Sequence, residues 1–308
     1  MTMCRDVLKP RNGYLLKLAN GQGWRIISTE EVMPWVAKLA CIMELKSGQP
    51  NTYPRLIFTR REPGPKADQA STYTRIADEV DDLPRDGWTP LDLRALTVWS
   101  HRDTPDVICE IEHEEGHAVG IIRMWLALNS IYQRVQDTGG LPFHAALVQR
   151  NGAGVLLAAP GDTGKSTCCR RLPPPWKALC DDETLILYDD EKGYLAHPFP
   201  TWSDYLWRGS KQTWNVQDYA PLSALFFLEQ ADADDVVSMG EAQAAISINK
   251  LATQVSYPYW RNLGDAQRVS RRKKLFDNAC ALAKTVPAFT LRVSYSGRFW
   301  EKMESVLP

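Results

Sequence analysis

Residues 159–167 read Ala-Pro-Gly-Asp-Thr-Gly-Lys-Ser-Thr, one substitution away from the phosphate-binding pattern G-x-x-x-x-G-K-[ST]. Each part of that pattern has a job. Consecutive backbone N–H groups receive phosphate oxygens, the lysine neutralises charge at the β- and γ-phosphates, and the hydroxyl ligates magnesium. Gly161, Asp162, Thr163, Gly164, Lys165, Ser166 and Thr167 are therefore the candidate nucleotide-binding residues, with Lys165 the key cation and Ser166 a candidate magnesium ligand. Ala159 stands where the pattern has its first glycine. A surface turn that merely contains Gly-Lys-Ser is the competing explanation. It is disfavoured by the apolar run Val155–Ala158 before the loop and the helix-compatible stretch after it.

A second constellation follows. Asp181 and Asp182 close a short apolar segment, Ala178-Leu179-Cys180. Two adjacent carboxylates at a strand end can divide the work of phosphoryl transfer, one holding magnesium and one taking a proton from an attacking hydroxyl. Acidic pairs also occur at Asp81-Asp82, Asp189-Asp190 and Asp234-Asp235. Only the pair at 181–182 lies just beyond a phosphate-loop helix.

The elements that must hold these groups are partly readable. His144–Gln149 and Val155–Ala158 read as strands before the loop, and a helix starting at Lys165 must be short because Pro173-Pro174-Pro175 cannot continue it. Thr184–Tyr188 and Tyr194–His197 read as a hairpin, Leu222–Leu228 as a buried strand, Asp265–Lys284 as an amphipathic helix and Phe289–Ser294 as a closing strand. Upstream, Tyr14–Leu18, Trp24–Ser28 and Arg55–Thr59 alternate like strands around a helix at Glu30–Met43. Residues 60–86 read as charged, proline-containing loop with at most one short helix. Val107–His113 and His117–Ile122 read as two strands about a Glu-Glu-Gly turn, followed by a helix at Met124–Gln136.

Other signals carry less. His113-Glu-Glu-Gly-His117 matches the zinc-protease pattern H-E-x-x-H, but Gly116 and the flanking alternation predict a turn rather than the helix that chemistry needs. The basic run Arg268, Arg271, Arg272, Lys273 and Lys274 fits a solvated helix face, with docking of an acidic peptide as the alternative. His197, with Trp202, Tyr205, Trp207 and Trp214 nearby, fits a packed core or the lining of a pocket. Cys168 and Cys169 are expected to be inert thiols packed against the sheet.

The chain has 308 residues, with 36 Lys plus Arg against 37 Asp plus Glu. That balance argues against a protein built to grip nucleic acid or an anionic membrane. No apolar stretch approaches the ~20 residues of a spanning helix, and the first residues lack the features of a signal peptide. The seven cysteines form no C-x-x-C pair, so neither a disulfide scaffold nor a cysteine-rich zinc site is expected. A soluble, cytoplasmic protein is the expectation.

His144-Ala-Ala-Leu-Val148, Gly154-Val-Leu-Leu157, the Gly-Lys-Ser loop and Leu179-Cys-Asp-Asp182 together resemble the catalytic domain of HPr serine kinase/phosphorylases. More narrowly, Cys168–Trp176 and His197–Asp204 resemble the SynChlorMet cassette protein ScmC group, HPr-kinase-like proteins that accompany a small precursor peptide and radical-SAM proteins. The resemblance implies an α/β protein with an HPr-kinase-like (PEP carboxykinase-like) P-loop core over 105–308 and a β-rich N-terminal extension over 1–104. It implies Asp181 as general base, Asp182 as a magnesium ligand and His144 beside the phosphates. ATP and Mg2+ are the implied cofactors, and a Ser/Thr hydroxyl of a ribosomally made precursor peptide is the implied acceptor. The other cassette proteins are implied partners, and HPr kinases assemble from identical copies. Ala159 and Asp162 stand where HPr kinases carry glycine, and the second glycine-rich signature of those enzymes has no recognisable counterpart. Two alternatives follow: a nucleotide-binding, catalytically weak partner that presents the peptide to other enzymes, and a kinase of small serine-like molecules.

Overall fold

The computed structural model describes residues 13–48, 52–61, 80, 82–93, 96–112, 116–161 and 163–307. Residues 62–79 and 81, most of the predicted charged loop, lie outside this set, as do Asp162 and His113–Glu115. The architecture is mixed α/β, with a mixed sheet in each of two compact units. One unit takes the described residues up to Ser130 together with Trp202–Thr213, and the other takes Ile131–Thr201 and the chain from Trp214.

The first unit is built on β1 (Tyr14–Lys17), β2 (Gly23–Ser28), α1 (Met33–Ile42), β3 (Lys46–Ser47), β4 (Arg55–Arg60), β5 (Thr89–Asp92), β6 (Leu96–Ser100) and β7 (Val107–Ile111). Its strand order is β3-β1-β2-β4-β7-β6-β5. The inner strands β2, β4 and β7 run parallel and carry the buried Ile26, Leu56, Ile57, Phe58, Ile108 and Cys109. Burial on both faces accounts for the successive apolar residues Leu56–Phe58 of β4 and Val107–Cys109 of β7, so β4 does not alternate as the sequence reading expects.

One expectation fails here. His117–Ile122 is not a strand but the start of a helix, α2 (His117–Ala127). Gly116, at φ 87°, turns the chain into it. Gly120, Ile121, Met124 and Ala127 are then buried at spacings of three and four residues. A run such as Val-Gly-Ile-Ile fits either period over so short a window, and the longer helical stripe decides it. The expected single helix at Met124–Gln136 is correspondingly two, because α2 ends before Leu128 and α3 spans Asn129–Asp137.

In the second unit the elements are β8 (Leu141–Phe143), β9 (Ala145–Arg150), β10 (Ala153–Ala158), α4 (Lys165–Arg171), β11 (Lys177–Cys180), β12 (Glu183–Asp189) and β13 (Gly193–Phe199). The chain then contributes α5 (Trp202–Trp207) to the first unit and returns for β14 (Ala220–Gln230), β15 (Asp235–Ser238), α6 (Glu241–Trp260), α7 (Asp265–Thr285), β16 (Ala288–Val293) and α8 (Phe299–Glu304). The strand order is β11-β9-β10-β14-β13-β12-β8, with β16 added on β14 and β15 on β16. Parallel pairing joins β10 to β14 and β14 to β16. Val155, Leu157, Ala224 and Phe226 from the central strands meet Cys168 of α4 and Phe299 and Met303 of α8 in one apolar cluster.

Candidate functional site

Strand register brings the chemistry-bearing residues together. In the antiparallel pair β9–β10, Ala158 faces Ala145, so the next step along each strand sets Ala159 against His144. His144 is the single residue between β8 and β9, so the strand predicted from His144 begins one position later, at Ala145. On the other side of β9, β11 ends at Cys180, paired with Leu147, so Asp181 and Asp182 leave the sheet at the same end. Because β10 and β14 run parallel, this is the carboxyl end of both, where open α/β sheets bind ligands.

The loop that follows β10 begins inside the protein. Ala159 is 2% exposed and its methyl belongs to the apolar cluster of the sheet, so the substitution of the pattern's first glycine adds a core contact. Gly161 and Gly164 behave differently, since a Cβ placed on either would meet no atom within 4 Å among the described residues beyond its chain neighbours. Backbone at both positions is open to close approach. Gly164, at φ 105°, also holds the left-handed turn that a side chain would strain. Thr163 Oγ1 donates to the Pro160 carbonyl at 3.0 Å, and Gln230 of β14 reaches the Thr163 carbonyl at 3.5 Å. In α4, Ser166 is half-buried and Thr167 is exposed. Arg171, at the other end of α4, donates to the Ser294 and Gly297 carbonyls and lies over the Phe299 ring, which fixes the helix on the sheet.

Lys165, only 6% exposed, is the hub of the site. Its ammonium donates to the Ala159 carbonyl at 3.0 Å and contacts His144 Nε2 at 3.0 Å. The same ring nitrogen lies 2.9 Å from Asp182 Oδ1. One imidazole nitrogen carries at most one hydrogen, so Nε2 either donates to Asp182 or accepts from Lys165. His144 Nδ1 is buried with no hydrogen-bond partner among the described residues. Burial acts to raise the Asp182 pKa, but the hydrogen bond and charge of His144 and the charge of Lys165 outweigh it and hold the carboxyl below its ordinary value.

Asp181 has a different neighbour. Glu183 faces Phe199 in the β12–β13 hairpin, and two further steps set Asp181 against Thr201, whose hydroxyl donates to Oδ1 at 2.7 Å. The structure thus brings His144, Lys165 and Asp182 into one chain of contacts and gives Asp181 a separate anchor. Thr201 lies in the His197–Asp204 segment, but no local pattern marks it as part of the site. Glu183 carries no such mark either. It is buried beside Asp182 and accepts a hydrogen bond from the Tyr132 hydroxyl. Burial, then the Glu183 charge, push the Tyr132 and Tyr259 phenols well above their usual pKa.

The remaining signals resolve toward structure. His197 is fully buried, bonds the Val216 carbonyl at 2.9 Å and stacks on Tyr219. Burial lowers its pKa to about 4, so it is a neutral core histidine. In the basic run, Arg268 bonds the Trp260 and Leu263 carbonyls, Arg271 pairs with Asp137 and Lys273 with Asp277. Cys168 is buried and its thiol pKa is pushed up to about 11 by burial, as an inert thiol requires. His113 lies outside the described residues, and His117 opens α2 directly after Gly116, which has φ 87°. Among the described residues no group of three or more His, Cys, Asp or Glu side chains could hold a metal ion. No described helix is long and apolar enough to cross a membrane.

No curated protein matches the chain. Residues 107–308, more than half of its length, match the family model described as SynChlorMet cassette protein ScmC, and the matched segment holds the loop, the acidic pair, His144 and Thr201. The chain belongs to the SynChlorMet cassette protein ScmC family.

Proposed function

We propose that this protein is a magnesium- and nucleotide-dependent phosphotransferase with an HPr-kinase-like P-loop core, acting on a Ser or Thr hydroxyl of a cassette precursor peptide. On this reading residues 105–308 carry the reaction and residues 1–104 form an extension. The observation that carries the proposal is the contact chain from Lys165 through His144 to Asp182 at the mouth of the loop. A buried ammonium, an imidazole and a carboxylate gather beside backbone left open at Gly161 and Gly164, the geometry a triphosphate needs.

The residues also fit magnesium. Ser166 and Asp182 offer one hydroxyl and one carboxylate, and magnesium is usually held by one or two carboxylates plus phosphate oxygens rather than by an all-protein cage. When bound, ATP with Mg2+ supplies the electrophilic phosphoryl group and part of its charge neutralisation. Lys165 leaves the Ala159 carbonyl for a phosphate oxygen, the loop amides orient the chain of phosphates, and His144 holds Asp182 in place. Asp181 takes the proton of the acceptor hydroxyl. The acceptor oxygen forms its bond to phosphorus as the bond to the leaving ADP oxygen breaks.

Titration calorimetry with ATP and magnesium, followed by a radiolabel transfer assay on the cassette peptide, tests this reading. Binding with transfer supports it. One observation favours a second reading, a binding partner that presents the peptide without turnover: the Lys165 ammonium is drawn inward onto backbone carbonyls. Binding without transfer to the peptide or to free serine supports that reading, transfer to free serine alone supports a small-molecule kinase, and no binding removes all three.

A further inference from the structure

Thr201 sits 20 residues from Asp181 in sequence and carries no catalytic signature, yet the structure gives it a specific task. It is 5% exposed. Its hydroxyl donates to Asp181 Oδ1, with the two oxygens 2.7 Å apart. Pro200 precedes it, so the backbone that presents the hydroxyl has one torsion locked by the ring and its predecessor, Phe199, held extended. Threonine is itself stiff at χ1 because it is β-branched. A short, well-made hydrogen bond is thus delivered from a rigid strand end onto a carboxylate that stands in a bend with two rotatable torsions of its own.

We propose that Thr201 is a positioning residue that fixes the rotamer of Asp181. With Oδ1 occupied by the hydroxyl, the other carboxylate oxygen is presented to the proton it must accept. The inference rests on the phosphotransferase reading, in which Asp181 is the base. It separates the two carboxylates physically: His144 holds Asp182 at the Lys165 side, and Thr201 holds Asp181 from the β12–β13 hairpin. A base that wanders by about 1 Å can cost two orders of magnitude in rate without altering how the nucleotide binds.

The test compares Thr201→Val, which keeps shape but removes the hydroxyl, with Thr201→Ser, which keeps the hydroxyl. Nucleotide Kd, kcat and peptide KM are measured for both, with thermal melting as a control. Thr201→Val is expected to lower kcat by about ten- to a hundredfold while Kd stays within about twofold. Thr201→Ser is expected to recover most of the rate. If Thr201→Val does not fold, Thr201→Ala replaces it under the same criteria. A wild type that transfers phosphate while the hydroxyl-free variant is equally fast, or while the serine variant is equally slow, overturns the role of Thr201 alone. A wild type that binds nucleotide and transfers nothing overturns the phosphotransferase reading and, with it, this role.

Discussion

His144 Nε2 lies 2.9 Å from Asp182 Oδ1, and that one contact ties two strand ends of the second unit to each other. Lys165 leans on the same nitrogen. The three side chains share too few hydrogens for every contact to be a full hydrogen bond, so the state of one constrains the others. A double-mutant cycle with His144→Gln and Asp182→Asn should therefore show coupling between about 0.5 and 3 kcal/mol in chemical unfolding. Additive losses would mean that the contact contributes little in solution.

On the proposed reading, Lys165 is the cation on which nucleotide binding depends. Replacing it by Met should weaken binding by about ten- to a hundredfold, the usual range for losing a hydrogen bond to a charged group. Stability should fall as well, because the variant leaves the Ala159 carbonyl without this donor and the Asp182 carboxylate without a nearby positive charge. Calorimetry and melting on the same variant separate the two effects. Undiminished nucleotide affinity would remove Lys165 from the site.

Ala159→Gly restores the literal phosphate-loop pattern, and the structure predicts that this harms the protein. The methyl is buried in the sheet cluster, and its loss together with the added backbone freedom should cost about 1–2 kcal/mol. The melting temperature should drop by several degrees with nucleotide affinity unchanged. Tighter binding in the glycine variant would show that Ala159 obstructs the loop.

His197 gives a pH signature. Its folded pKa of about 4 lies below the ordinary value of 6.5, so between those values the unfolded chain binds a proton that the folded chain refuses. Stability must then fall as pH drops from 6.5 toward 4, by at most about 3 kcal/mol from this group. Urea midpoints measured across that window should fall more steeply for the wild type than for His197→Asn. Parallel curves would show that His197 titrates normally in the folded protein.

Local patterns made the loop, the acidic pair and the β12–β13 hairpin legible. The hairpin shows in two alternating runs around Asp-Asp-Glu-Lys-Gly. The loop shows because its glycines and lysine have fixed spacing. What stayed hidden is non-local or ambiguous in period. Thr201 acquires its role only through the register that sets it against Asp181, and Glu183 only through the Tyr132 hydroxyl. The start of α2 reads as a strand because four apolar residues satisfy both periods. In α6 the buried face includes Ala244, Ala245, Ile248, Leu251, Ala252 and Val255, but small residues and a late Pro258 dilute the stripe. The passage of Trp202–Thr213 into the first unit has no sequence mark at all.

On the proposed function, Asp181 is the base of a phosphoryl transfer at the Lys165 loop. That role is tested most directly by single-turnover transfer from γ-labelled ATP to the cassette peptide, with wild type and Asp181→Asn side by side. The expected result is labelled peptide from the wild type, and from the variant full nucleotide binding with no labelled peptide. Labelling by Asp181→Asn at the wild-type rate, or none by a wild type that binds ATP, would contradict it.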